Sequence, residues 1–246
     1  MGTQAKKKIL ITAAVLLALA VAVGITAWRK LHRVVPQPAW ITHNQRDSYL
    51  YGSVGAAHTA GLPYWIWLAM PRMFPEYMPG PGGYAALGMS WEEGREMPVG
   101  FAKQRIGYIR VTGNCALCHA ISYPNGPDEA PTIVAAVPGR TTDVQPLLTF
   151  LKRCAQDPRF NANEFLAEID TATKLSFLDR LLYRYVLIPR TRQALANDPA
   201  TLLFSPALRA HARDPQSNVP LHDRQMKALK EWTEQQKSAA RPPIAP

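Results

Sequence analysis

The residues best equipped for chemistry stand together at 113–119, Gly-Asn-Cys-Ala-Leu-Cys-His. The chain has three cysteines, and two of them, Cys115 and Cys118, fall here with His119 directly after. C-x-x-C-H is the spacing of c-type haem attachment. Two thiols three positions apart lie on one turn of a helix, where each can add to a haem vinyl group. The next residue then brings an imidazole under the iron as proximal ligand, and the second axial partner tunes the redox potential. The expected cofactor is one covalently attached haem c, with Cys115 and Cys118 holding it and His119 on the metal.

The competing readings of the motif each want something more. A thioredoxin-like C-x-x-C sits after a strand in a βαβ pattern, which the sequence does not suggest. A zinc site wants a second ligand pair at suitable spacing, and the only other cysteine, Cys154, stands alone. A disulfide between Cys115 and Cys118 leaves the adjacent histidine unexplained. Cys154 lies near the apolar stripe of an expected helix and reads as a buried free thiol.

The opposite face of the iron is less determined. No methionine occurs between His119 and Gln225. Met226 falls on the apolar stripe of an expected terminal helix, where packing accounts for it. Downstream histidines are His211 and His222, and His211 is the stronger metal-ligand candidate. It lies in a polar stretch just ahead of the terminal helix, where simple cytochromes place their distal loop. Upstream stand Met70, Met73, Met78, Met89 and Met97, together with His43 and His58. An iron left open remains a third option. A Met or His ligand suits one-electron transfer, whereas an open iron can bind a small molecule or a peroxide. Arg140, about twenty residues after the motif, suits a haem propionate because guanidinium matches carboxylate geometry. A plain surface arginine before a helix is the alternative.

Helices are expected around this motif. "LPYWIWLAM" reads as a helix starting near Pro63. Val144, Leu147, Leu148, Leu151 and Ala155 fall at helical spacing behind Asp143, with Pro146 in the first turn. "NANEFLAEIDTA" follows with Asn163 as cap, then "SFLDRLLYRYVL" stopped by Pro189, a short "TRQALAN", and a terminal "LHDRQMKALKEWTEQQ". The segment "MPGPGGY" must be loop. Few stretches alternate like strands, so the expected class is mainly α, a cytochrome c-like haem domain with long loops.

Three longer stretches carry a family likeness: "GLPYWIWLAMPRMFPEYMPGPGGYAALGMSW", "PVGFAKQRIGYIRVTGNCALCH", and "TTDVQPLLTFLKRCAQDPRF" with "DRLLYRYVLIPRTR" after it. Over roughly residues 60 to 195 the chain resembles the rubber oxygenase-like dihaem cytochromes, relatives of bacterial dihaem cytochrome c peroxidases, around their first haem. The resemblance implies Cys115, Cys118 and His119 as the haem site, inside a helical, loop-rich wrapping. It also implies a distal side without a strong protein ligand. The family's second C-x-x-C-H is absent here, which removes the basis for its two-haem peroxidase and oxygenase chemistry.

The chain has 246 residues, a formal net charge of +10 and 47% hydrophobic residues. That length suits one domain with a short appendage, and the 22 prolines point to many loops rather than a regular bundle. Basic residues are scattered, with no cluster of Lys and Arg interleaved with aromatics, so nucleic acid is excluded as the partner. An acidic redox partner protein or an anionic membrane surface fits the charge. At the start, Lys6, Lys7 and Lys8 precede twenty uncharged residues, Ile9 to Trp28, and Arg29, Lys30 and Arg33 follow. Twenty apolar residues at a helical rise span roughly a 30 Å hydrocarbon core, and a secretory h-region is usually shorter. The expectation is an uncleaved signal anchor, a single-pass transmembrane helix in the inner (cytoplasmic) membrane. Haem c attachment outside the cytoplasm places the haem domain on the periplasmic side. The expected organisation is residues 1–33 anchor, 34–50 linker, 51–237 cytochrome domain and 238–246 disordered tail. The expected role is electron transfer to or from a redox partner protein or membrane redox complex, with a haem enzyme or small-molecule binder of open iron as the alternative.

Overall fold

A computed structural model describes residues 3–123, 125–126, 129–206 and 209. Helix α1 runs Thr3–His32, followed by strand β1 (Val34–Val35) and the short helices α2 (Ala39–Thr42), α3 (Gln45–Tyr51) and α4 (Ala56–Thr59). Strand β2 (Leu62–Pro63) leads into α5 (Tyr64–Met73), and single 3-10 turns at 75–77 and 83–87 lead on to β3 (Phe101–Ile106) and β4 (Tyr108–Gly113). Helix α6 (Ala116–His119), β5 (Ala120–Tyr123) and β6 (Thr132–Ala135) come next. The rest is helical: α7 (Val144–Gln156), α8 (Ala162–Ala172), α9 (Phe177–Leu182), α10 (Ile188–Asn197) and α11 (Ala200–Leu203).

The expected class needs correction on two counts. The chain is about 56% helical but carries a small antiparallel sheet, with strand order β1-β3-β4-β2 and a separate β5-β6 pair. The β3–β4 hairpin escapes a reading by alternation because Lys103, Gln104, Arg105 and Arg110 interrupt its apolar residues. Its turn is a single Gly107 at φ 72° between the paired Ile106 and Tyr108, a conformation glycine adopts freely. The second correction concerns the membrane. The apolar N-terminal stretch does form a helix, but no helix among the described residues is long and apolar enough to cross a membrane. The transmembrane anchor and the inner-membrane, single-pass localisation are therefore not supported.

Other segments follow their patterns closely. Helix α7 begins after Asp143 and tolerates Pro146 in its first turn, and it buries Leu147, Phe150, Leu151, Cys154 and Ala155. The cap of α8 is Asn161 rather than Asn163; its side chain accepts hydrogen bonds from the backbone N–H groups of Asn163 and Glu164. Pro189 does not end the third helix. A π-helical segment at Tyr183–Leu187 joins α9 to α10, with the Ile188 N–H donating to the Tyr183 carbonyl. The wider turn accommodates a proline that would otherwise clash with the preceding turn. Residues 34–50 belong to the folded body: Leu50 is fully buried, and β1 pairs with β3.

The core lies between the sheet and the helices. Trp67 of α5 stacks on Tyr84 with centroids 4.4 Å apart, and Tyr84 meets Phe150 of α7 edge-on at 6.0 Å. The Tyr84 hydroxyl donates to the Trp67 carbonyl at 2.8 Å, which satisfies a phenol buried among rings. Helix α10 packs on α7 and α5 on α8. The sheet stands on the other side of this core, and strand β4 ends at the cysteine motif.

Candidate functional site

Strand β4 delivers Gly113 and Asn114 directly to Cys115, and α6 holds Ala116 to His119 in a single turn. Strand β5 starts at Ala120, so the motif is fixed by a strand at each end. Within the turn the side chains divide by face. Ala116 and Leu117 point into the core at 2% and 1% exposure, while Cys115 and Cys118 are half-buried free thiols and His119 is exposed. The two cysteines and the histidine thus lie on the more open side of the turn, opposite Ala116 and Leu117.

Asn114 is the main brace, and it is 2% exposed. Its side-chain amide donates to the carbonyls of Leu50 at 3.2 Å and Gly52 at 3.0 Å. Its side-chain oxygen accepts from the Ala116 N–H at 2.9 Å, an Asx turn that opens α6. One side chain thus ties the motif to the end of α3 and starts its helical turn. Asn114→Ala is expected to destabilise the fold by about 2–3 kcal/mol, because the Gly52 carbonyl loses its side-chain donor, the Leu50 carbonyl is left with the Gly100 N–H, and the turn loses its cap. Asn114→Asp should recover only the cap. Urea titrations of the three proteins check both expectations.

Gly100 approaches the motif from below. Its φ is +87°, and a methyl group there would come within 2.5 Å of both the Cα and the backbone N of Leu117. Its N–H donates to the Leu50 carbonyl at 3.0 Å, and its carbonyl accepts from the Asn114 N–H at 2.9 Å.

The C-terminal side of the motif is held through the His119 carbonyl. It accepts from the Tyr49 hydroxyl at 3.3 Å and from the Val137 N–H at 3.3 Å. The Ala120 carbonyl accepts from the Thr141 N–H at 3.3 Å, so the connector 137–141 runs alongside the motif. That connector brings Arg140, itself exposed, close enough to Cys118 for its charge to act on the thiol. Burial pushes the Cys118 thiol up, and the Arg140 guanidinium partly offsets this. Tyr49 is pushed up by burial first and then by the neighbouring Cys115.

Of the residues singled out from the sequence, the fold gathers Cys115, Cys118, His119 and Arg140 at one place. His211, His222 and Met226 lie outside the described residues. Met70, Met89 and Met97 are buried at 0%, 4% and 5% exposure in the hydrophobic core, and Met73 and Met78 pack against it. His43 and His58 are exposed. Cys154 is fully buried, and burial pushes its thiol well up, so it is a packing residue with little thiolate character. Asn114 could have been found from its type, an Asn directly ahead of a helical turn. Tyr49 and Gly100 reach the motif from distant positions without a local signal.

A covalent haem c fits the side chains presented here. Both thiols are free and half-buried on one turn, the imidazole beside them is exposed, and Arg140 would offer a cation to a propionate. Among the described residues no group of three or more His, Cys, Asp or Glu side chains is arranged to hold a metal ion directly. Comparison of the chain with known protein families, with curated proteins and with solved structures finds no match.

Proposed function

We propose that the chain is a monohaem c-type cytochrome that carries electrons between redox partners. The observation that carries this reading is the placement of Cys115, Cys118 and His119: two free thiols and an exposed imidazole on one outward-facing turn, braced by Asn114 and Gly100. Haem c at that turn supplies a one-electron couple. Cys115 and Cys118 would hold the group, His119 would offer its imidazole to the iron, and Arg140 would offer a cation to a propionate. Ala116 and Leu117, buried at 2% and 1% exposure, anchor that turn in the core. The single C-x-x-C-H of the chain supports one haem site of this kind.

His211, which lies outside the described residues, would be the second histidine offered to the iron in this reading. Phe204 lies against Gly113 and Leu117, where a methyl on Gly113 would come within 2.9 Å of its ring. His211 follows seven residues later, and seven residues reach at most about 25 Å. The burial of Met70, Met89 and Met97 also favours His211 over an upstream methionine. The same burial keeps a second reading in play, an open iron that binds a small molecule or peroxide. Carbon monoxide separates the two. The ferrous protein should be unchanged by carbon monoxide on mixing, and His211→Ala should bind it at once. Immediate binding by the unaltered protein would instead favour the open-iron reading.

The partner expected for the carrier is an acidic protein. A net charge of +10 steers association with a negative surface and makes it salt-dependent.

A further inference from the structure

A cavity of about 310 Å³ lies on the sheet, lined by residues that the motif does not use. That volume falls at the lower end of ordinary small-molecule sites, about 300–1,000 Å³. Its floor is one face of the β1-β3-β4 sheet. Val35 pairs with Arg105 and Arg105 with Ile109, so these three side chains stand in a row on the same face. Trp40 and Tyr51 form an aromatic wall, edge to face with centroids 5.7 Å apart, and Met97 and Phe101 complete the apolar lining.

The wall is held in place although part of it faces solvent. Trp40 is 42% exposed, yet the Arg95 guanidinium lies 4.0 Å from its ring centroid and is itself paired with Asp47 at 3.3 Å. An indole held by a cation and lining a cavity offers an aromatic surface for stacking.

Most charged groups around the cavity are already paired. Glu96 accepts from the Tyr64 hydroxyl at 2.7 Å and pairs with Lys103. The Gln37 side chain donates to the Tyr51 and Lys103 carbonyls and accepts from the Ser53 N–H. Arg105 alone among the charged lining residues has a side chain without a hydrogen bond or ion pair among the described residues, and it is exposed to the cavity mouth.

We propose that this cavity is a binding site for a small planar aromatic anion. The ring system stacks against Trp40 and over Ile109, and the acidic substituent pairs with Arg105 through charge-assisted hydrogen bonds. The site is independent of the haem reading, because none of its lining residues belongs to the cysteine motif.

Isothermal titration calorimetry of the full chain tests it with two probes of the same ring framework, 1-anilinonaphthalene-8-sulfonate and its neutral analogue N-phenyl-1-naphthylamine. The sulfonate should bind at a single saturable site. Arg105→Gln should weaken the sulfonate at least tenfold and the neutral amine less than twofold. Ile109→Trp, which fills the floor, should abolish both. Trp40→Ala, at a partly exposed position that should fold normally, should weaken both probes and so stands in if Ile109→Trp does not fold. Absent or non-saturating binding, or equal binding by the unaltered and filled proteins, would overturn the site. Equal loss of both probes in Arg105→Gln would overturn the preference for an anion.

Discussion

Gly100→Ala should destabilise the fold by roughly 2–5 kcal/mol and impair haem attachment together with it. A side chain at φ +87° costs about 1–2 kcal/mol, and overpacking a filled site costs typically about 1–3 kcal/mol more. The second contribution is unusually hard to relieve here. The atoms that a methyl would meet at 2.5 Å are the Cα and N of Leu117, which are backbone atoms between the two cysteines. They can give way only by moving the turn that carries both thiols. The turn in turn is tied through Asn114 to Leu50 and Gly52, so the displacement spreads to α3. Gly80 is the control, since a methyl there meets nothing within 4 Å. Gly80→Ala should stay within about 0.5 kcal/mol of the parent. Urea midpoints of the three proteins decide the point, and a Gly100→Ala midpoint equal to that of Gly80→Ala would remove Gly100 from the account.

The second large effect concerns the cofactor. Replacing Cys115 and Cys118 together by Ala should leave no haem bound after acidified acetone extraction, although His119 remains able to ligate iron. Each single replacement should leave one thioether and shift the reduced spectrum without freeing the haem. The distinction follows from the roles assigned: the sulfurs hold the macrocycle, and the imidazole acts on the metal. The unaltered floor of Ala116 and Leu117 should keep the double variant folded. Cysteines serving instead as a structural disulfide pair would give a double variant with lower stability and an unchanged pigment content. His119→Ala completes the comparison, because it should retain covalent haem while losing the proximal nitrogen.

The parts of the molecule that sequence made legible are those governed by short-range pattern. The C-x-x-C-H spacing puts its residues on one turn, as the structure has them, and helices α7 and α8 announce themselves by apolar periodicity. The hairpin before the motif did not, because Lys103, Arg105 and Arg110 break up its apolar residues and its turn is one glycine. Pro189 read as a stop, and the π-helical segment at 183–187 shows how a chain can carry a proline through. The apolar N-terminal run was legible as a helix, while its expected passage through a membrane was overturned. At the site itself, Tyr49, Gly100 and Asn114 reach α6 from three separate stretches, and only Asn114 leaves a local trace. The cavity beside Trp40 was invisible for the same reason, since Val35, Arg105 and Ile109 become neighbours only through strand register.

The central claim rests on a covalent bond, and a mass measurement addresses it directly. The chain should be produced in a host that attaches c-type haem and measured intact under denaturing conditions. The account predicts a mass equal to the polypeptide plus one haem, with the added mass on a peptide containing Cys115 and Cys118. A mass equal to the polypeptide alone, with both thiols free to react with an alkylating reagent, would contradict it.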